Sequence, residues 1–153
     1  EWLDAIKRNE PKFYEKNLPV VEAIAAGEVE VGFVNHYYLY LLREEQPDAP
    51  VANHFLRRGD VGALVNVAGA GIVTTTKRDE TAQRFVEYLL SDEGQSFYRD
   101  EAEEAEYPLV AGIEPRSGLP PLDELQGPSV SLGALGDELE RTLELLNEAG
   151  YTS

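Results

Sequence analysis

Two tyrosines stand side by side in the run VNHYYLY, residues 34–40. The run follows an alternating, valine-rich stretch, VEVGFV at 29–34, and opens a segment with helical spacing, so it marks a strand-to-helix junction. Ligand sites in α/β proteins favour the crevice beyond the carboxyl ends of strands. The start of a helix adds free amides and the positive end of its dipole, which stabilise negative charge nearby. Tyr37 and Tyr38 are therefore candidates to be held as phenolates. An unperturbed tyrosine loses its proton only near pH ~10, so ionisation close to neutrality needs a strong cation. Fe(III) is hard and highly charged, and phenolate oxygen is a hard anionic donor. Neighbouring residues on a helix point about 100° apart, yet two long side chains at a helix start can converge on one ion. The same spacing fits plain packing, because Tyr37 lies four residues before Leu41 and Tyr38 four before Leu42. Buried aromatics at helical spacing are the commoner case, and the residues alone leave both readings open.

Two asparagines fall at expected helix starts, Asn35 before the tyrosine pair and Asn17 before a run with Pro19 in its first turn. Either can serve as an N-cap, and either sits where free amides could grip an anion. His36 and His54 read as surface or packing residues. The acidic run DEAEEAE at 100–106 reads as a solvated helix end. A hydrolase using that run as an acid/base pair is a rival reading, but no nucleophile or second motif points at it.

Composition removes several classes. The chain has 29 acidic and 13 basic residues, for a net charge of -16. Such a surface repels phosphate backbones, so nucleic acid is not expected as a partner. The absence of cysteine excludes disulfides, thiolate metal sites and cysteine nucleophiles together. No apolar run is long enough to cross a membrane. There is no methionine, so Glu1 is not a translation start, and the chain is expected to belong to a longer protein.

The elements that must position these residues alternate between short strands and helices. Helices are expected over 1–9, from Asn17 to Gly27, from Asn35 to about Glu45, and over 79–90 with Ala82, Phe85, Val86 and Leu89 inward. Ser91 caps another, whose apolar marks are Phe97 and Tyr98, and a last helix runs from about Leu135 to Ala149. Strands are expected at 29–34, from Val51, and over 61–67, with GAGIV as a further apolar strand. The glycines at 69 and 71 are not a dinucleotide fingerprint, because no helix opens there and the third glycine is missing. The expected fold class is α/β.

VNHYYLY preceded by AIAAGEVEVGF resembles the tyrosine-pair segment of the bacterial ferric-binding proteins, the periplasmic relatives of transferrin in fold and chemistry. Further similar segments follow in the same order: GDVGALVNVAGAGIV, FVEYLLSDEGQSFY, EYPLVAGI, LPPLDEL and LELLNEAGY. The resemblance covers essentially the whole chain, and the tyrosine pair after Val-Asn is its most specific part. It implies a partial type II periplasmic-binding-protein fold, the C-terminal half of a two-lobed protein about twice this length. Residues 1–67 would belong to the C-terminal lobe, 68–118 would cross into the N-terminal lobe, and 119–153 would return. It implies Fe(III) bound by Tyr37 and Tyr38, with a synergistic anion, phosphate or carbonate, held by Asn35 and Asn17. It implies a monomer, not an enzyme, periplasmic or otherwise extracytoplasmic, free or tethered by lipid, that delivers iron to the permease of an inner-membrane ABC transporter. The family's histidine and carboxylate ligands lie in its first half, so this chain alone is expected to hold iron weakly. A solute-binding protein of the same fold for a polyamine, sugar or oxyanion is the nearest alternative.

Overall fold

The computed structural model describes residues 1–102, 105–125, 127–128 and 130–151, apart from the side chain of Leu132. Seven α-helices are present among them: α1 (Trp2–Arg8), α2 (Asn17–Ala25), α3 (Tyr38–Glu45), α4 (Asp79–Leu89), α5 (Asp92–Asp100), α6 (Leu132–Asp137) and α7 (Leu139–Glu148). A 3₁₀ turn lies at Leu122–Leu125. None of the described helices is long and apolar enough to cross a membrane.

Local chemistry explains most helix ends. Pro19 sits in the first turn of α2, where a fixed φ costs nothing, and Gly27 turns the chain out with φ +73°. Asp79 and Glu80 occupy the first turn of α4, where they suit the helix dipole. Ser91 caps α5 as expected, its Oγ accepting from the Gly94 amide at 3.2 Å. The expected last helix is two, because Glu138 interrupts α6 and α7, and the start lies earlier, with Ser131 capping at Leu132. Neither asparagine caps: Lys16 and Tyr37 hold the N-cap positions of α2 and α3, without side-chain cap bonds.

The α4–α5 corner is tight. Gly94 is buried, and a methyl group there would meet the Tyr88 carbonyl oxygen and Leu89 Cα, backbone atoms that cannot swing aside. Gly94→Ala is expected to cost about 1–3 kcal/mol, read by thermal unfolding. Phe85, expected inward, is 61% exposed, and Phe97, an apolar mark of α5, is 54% exposed. Their helices are amphipathic, but within this chain little packs on those faces.

The expected strands do not form among the described residues. The segments 29–34, 51–56, 61–67 and 69–73 lack ladder pairing. A strand is fixed by a partner at ladder distance, and alternating valines supply only the preference for one. Val31, Phe33, Val61 and Val73 are 66–84% exposed. The chain exposes 11874 Å², against roughly 7,700 Å² for a compact protein of 17.0 kDa. Its apolar segments are thus ready for cover that the chain itself does not give.

The buried cluster lies where α2 packs on α3. Val21, Leu39, Leu42 and Ala49 form it, with Leu18, Ala25, Val34, Tyr38 and Val51 packed around. α7 returns to α1: the Lys7 ammonium donates to the Ala149 carbonyl, and the Tyr151 hydroxyl to the Leu3 carbonyl at 2.8 Å.

Candidate metal-binding site

The core carries the tyrosine pair directly. Leu39 and Leu42 anchor α3 on α2, and Tyr38, the first residue of α3, packs against the same cluster. Tyr37 precedes it at the cap position, and both side chains are half-buried. Their rings lie 4.7 Å apart between centroids, tilted by 40°. The two phenols are therefore neighbours at one helix start, where the dipole favours negative oxygen. The exposed Asn35 donates from Nδ2 to the Tyr37 hydroxyl at 2.8 Å, the polarity a phenolate accepts. Asn17 is exposed at the first position of α2.

A second ring of residues surrounds the pair, and sequence reasoning gave it no role in the site. His36 is half-buried. Its Nε2 lies 3.2 Å from the Ala105 carbonyl oxygen, which can only accept, so Nε2 carries the proton. Its ring meets Tyr37 edge-on at 5.6 Å and Tyr107 at 5.4 Å. The Asn53 amide donates to the His36 carbonyl at 2.9 Å. From Ala105 the chain continues around α3: Tyr107 donates to the Pro120 carbonyl at 2.9 Å, and Arg116 stands over the Tyr40 ring. His36 was readable as a packing residue, but Asn53 sits in a run that reads as strand. Nothing local links Tyr107 to residue 36.

Burial pushes the Tyr107 phenol up to about 12, and Tyr40 adds in the same direction. A phenol raised above its unfolded value of about 10 contributes stability that is whole below that pH and is lost as pH rises through about 12. Tyr107→Phe is expected to remove one late-titrating tyrosine from the phenolate absorbance and to flatten stability across that window. Tyr107 is thus a hydrogen-bond donor that keeps its proton.

Groups of three or more histidine, aspartate or glutamate side chains able to hold a metal are absent among the described residues. An open depression of about 620 Å³ lies beside the site, lined by Asn53, Phe55 and Leu119 among others, and neither Tyr37 nor Tyr38 lines it. The oxygen donors gathered here are the two phenols. Glu103 and Glu104, the centre of the acidic run, lie outside the described residues.

Residues 1–101 match the sequence model of the bacterial extracellular solute-binding proteins, and the chain belongs to that family. Among relatives, it is 32% identical to the major ferric iron-binding protein of Neisseria meningitidis over 98% of its own length and 45% of the relative's. It is 29% identical to the Fe(3+)-binding periplasmic protein of Serratia marcescens, over 97% of this chain and 44% of that one. The structure superposes on iron-bound HitA from Pseudomonas aeruginosa with a TM-score of 0.80 and 34% identity, over 90% of this chain and 44% of HitA. The fold is thus part of a periplasmic-binding-protein fold. The chain spans about 45% of the relatives it matches. The alternation of strand and helix expected from sequence is not realised within it, because strand pairing needs neighbours the described residues do not provide.

Proposed function

We propose that this chain is the tyrosine-bearing part of an extracytoplasmic Fe(III)-binding protein that serves an ABC importer. The observation that carries the reading is the juxtaposition of the Tyr37 and Tyr38 rings at the start of α3, with an asparagine amide on the Tyr37 oxygen. The names of the Neisseria and Serratia relatives and the iron-bound HitA structure support the same cargo. Fe(III) is the substrate, taken up and released without covalent chemistry.

Both phenols would ligate as phenolates, each supplying negative charge to a hard cation. Asn35 keeps a second amide N–H beyond its bond to Tyr37, and that N–H is the donor we assign to a synergistic anion, phosphate or carbonate. Asn17, at the start of α2, is its proposed partner. The remaining donors and the cover over the exposed valines would come from further chain, with 1–67 and 119–153 in one lobe and 68–118 in the other. Delivery would be to an inner-membrane permease, by a monomer held in the periplasm or tethered by lipid. The relatives are named as binding proteins, which supports a binding protein rather than an enzyme.

The test is a visible titration of the complete gene product with Fe(III), with and without phosphate. A broad phenolate-to-iron band that saturates at one equivalent is the expected result. A colourless titration would overturn phenolate ligation and move the cargo to a polyamine, sugar or oxyanion.

A further inference from the structure

We propose that His36 and Asn53 are positioning residues for the tyrosine pair, fixing the peptide before Tyr37 and the plane of its ring. The inference rests on the reading of Tyr37 and Tyr38 as iron ligands, and it concerns what holds them.

Two hydrogen bonds and contacts with the rings of Tyr37, Phe55 and Tyr107 hold His36. The Asn53 amide takes its carbonyl at 2.9 Å, which sets the orientation of the peptide that leads into Tyr37. Its Nε2–H is directed at the Ala105 carbonyl at 3.2 Å, which sets the ring. The ring is then wedged between Tyr37, at an interplanar angle of 75°, and Tyr107, at 60°. Because Tyr37 in turn stacks on Tyr38, a ring held at residue 36 restricts both phenols. Ala105 itself is fully buried, with φ +48°, a left-handed conformation that alanine adopts only where surroundings impose it.

These bonds converge on the tyrosines and stand apart from the buried cluster of Val21, Leu39 and Leu42. A purely structural histidine would be coupled to stability. A positioning histidine is coupled to the geometry at the metal, and outer groups that orient ligands typically contribute ~10–100-fold in metal affinity.

The experiment uses the complete gene product with Fe(III) and phosphate. It reads the position of the visible band, the affinity in competition with citrate, and the melting temperature without iron. His36→Leu and Asn53→Leu are expected to shift and broaden the band and to weaken binding by ~10–100-fold, with little change in iron-free melting. His36→Phe keeps a ring edge against Tyr37, and is expected to recover much of the band position. Tyr37→Phe and Tyr38→Phe serve as controls. If they abolish or weaken the band while both leucine variants keep its position and affinity, the inference is overturned and the iron reading stands. If His36→Leu and Asn53→Leu melt as early as a core variant, and His36→Phe recovers nothing, the role is structural and the inference is again overturned. If the tyrosine controls leave the band intact, the iron reading itself falls, and the inference falls with it.

Discussion

Tyr38→Phe in the complete gene product is expected to weaken Fe(III) binding by more than about 100-fold, beyond the upper end of what losing an outer-shell partner costs. The substitution removes one oxygen and keeps the ring. Since that ring packs beside Leu39 and Leu42, the fold should keep its contacts. Iron-free melting should therefore move little, within the ±0.5 kcal/mol typical of changes away from a packing defect. Tyr37→Phe should weaken binding at least as far, with one difference. It also removes the acceptor of the Asn35 amide, so the dependence on phosphate should change along with affinity. Citrate competition followed in the visible band measures both. Parent-like affinity in either variant would remove the basis for the tyrosine pair as ligands.

Leu42→Ala should produce the largest loss of stability in the chain. Leu42 is 2% exposed in a buried cluster of four residues, so little neighbouring material can collapse into the gap. Leucine-to-alanine changes in such places cost about 2–5 kcal/mol. For a protein of this size that lowers the melting temperature by on the order of 10 °C. Saturating iron should restore part of the loss, because a ligand that binds only the folded state adds stability by mass action. The same addition should raise the melting temperature of Tyr38→Phe much less than that of the parent, so calorimetry with and without iron separates a weakened scaffold from a weakened site.

What could be read in the sequence follows the range of the interactions involved. The ends of α2 and the start of α5 were legible because Pro19, Gly27 and Ser91 act on backbone groups within a turn of themselves. The tyrosine pair at a helix start was legible for the same reason. The strands were read from valine alternation at 29–34 and 61–67, a preference that says nothing about where a partner runs. Phe85 was assigned inward from helical period alone, which identifies a face but not what covers it. The clamp on His36 was invisible because Asn53 and Ala105 lie 17 and 69 residues away along the chain. The asparagine caps failed more locally: α2 takes in Asn17 as its first residue, one past the cap position, while α3 starts at Tyr38, three residues beyond Asn35, whose amide goes to Tyr37 instead.

The reach from His36 to Ala105 also sets a clock. Closing a loop of 69 residues costs about 4 kcal/mol from its length alone, and one hydrogen bond returns about 1 kcal/mol. The bond therefore forms only together with its neighbours, Tyr107 on Pro120 and Arg116 over Tyr40. At a synthesis rate of ~5–20 residues per second, the tyrosines are made roughly 3 to 14 s before Ala105 exists. During that interval α2 and α3 can already pair, but the phenols stand without the strap that holds them. A ribosome paused between these points would display the proposed tyrosine ligands before the segment that orients them exists.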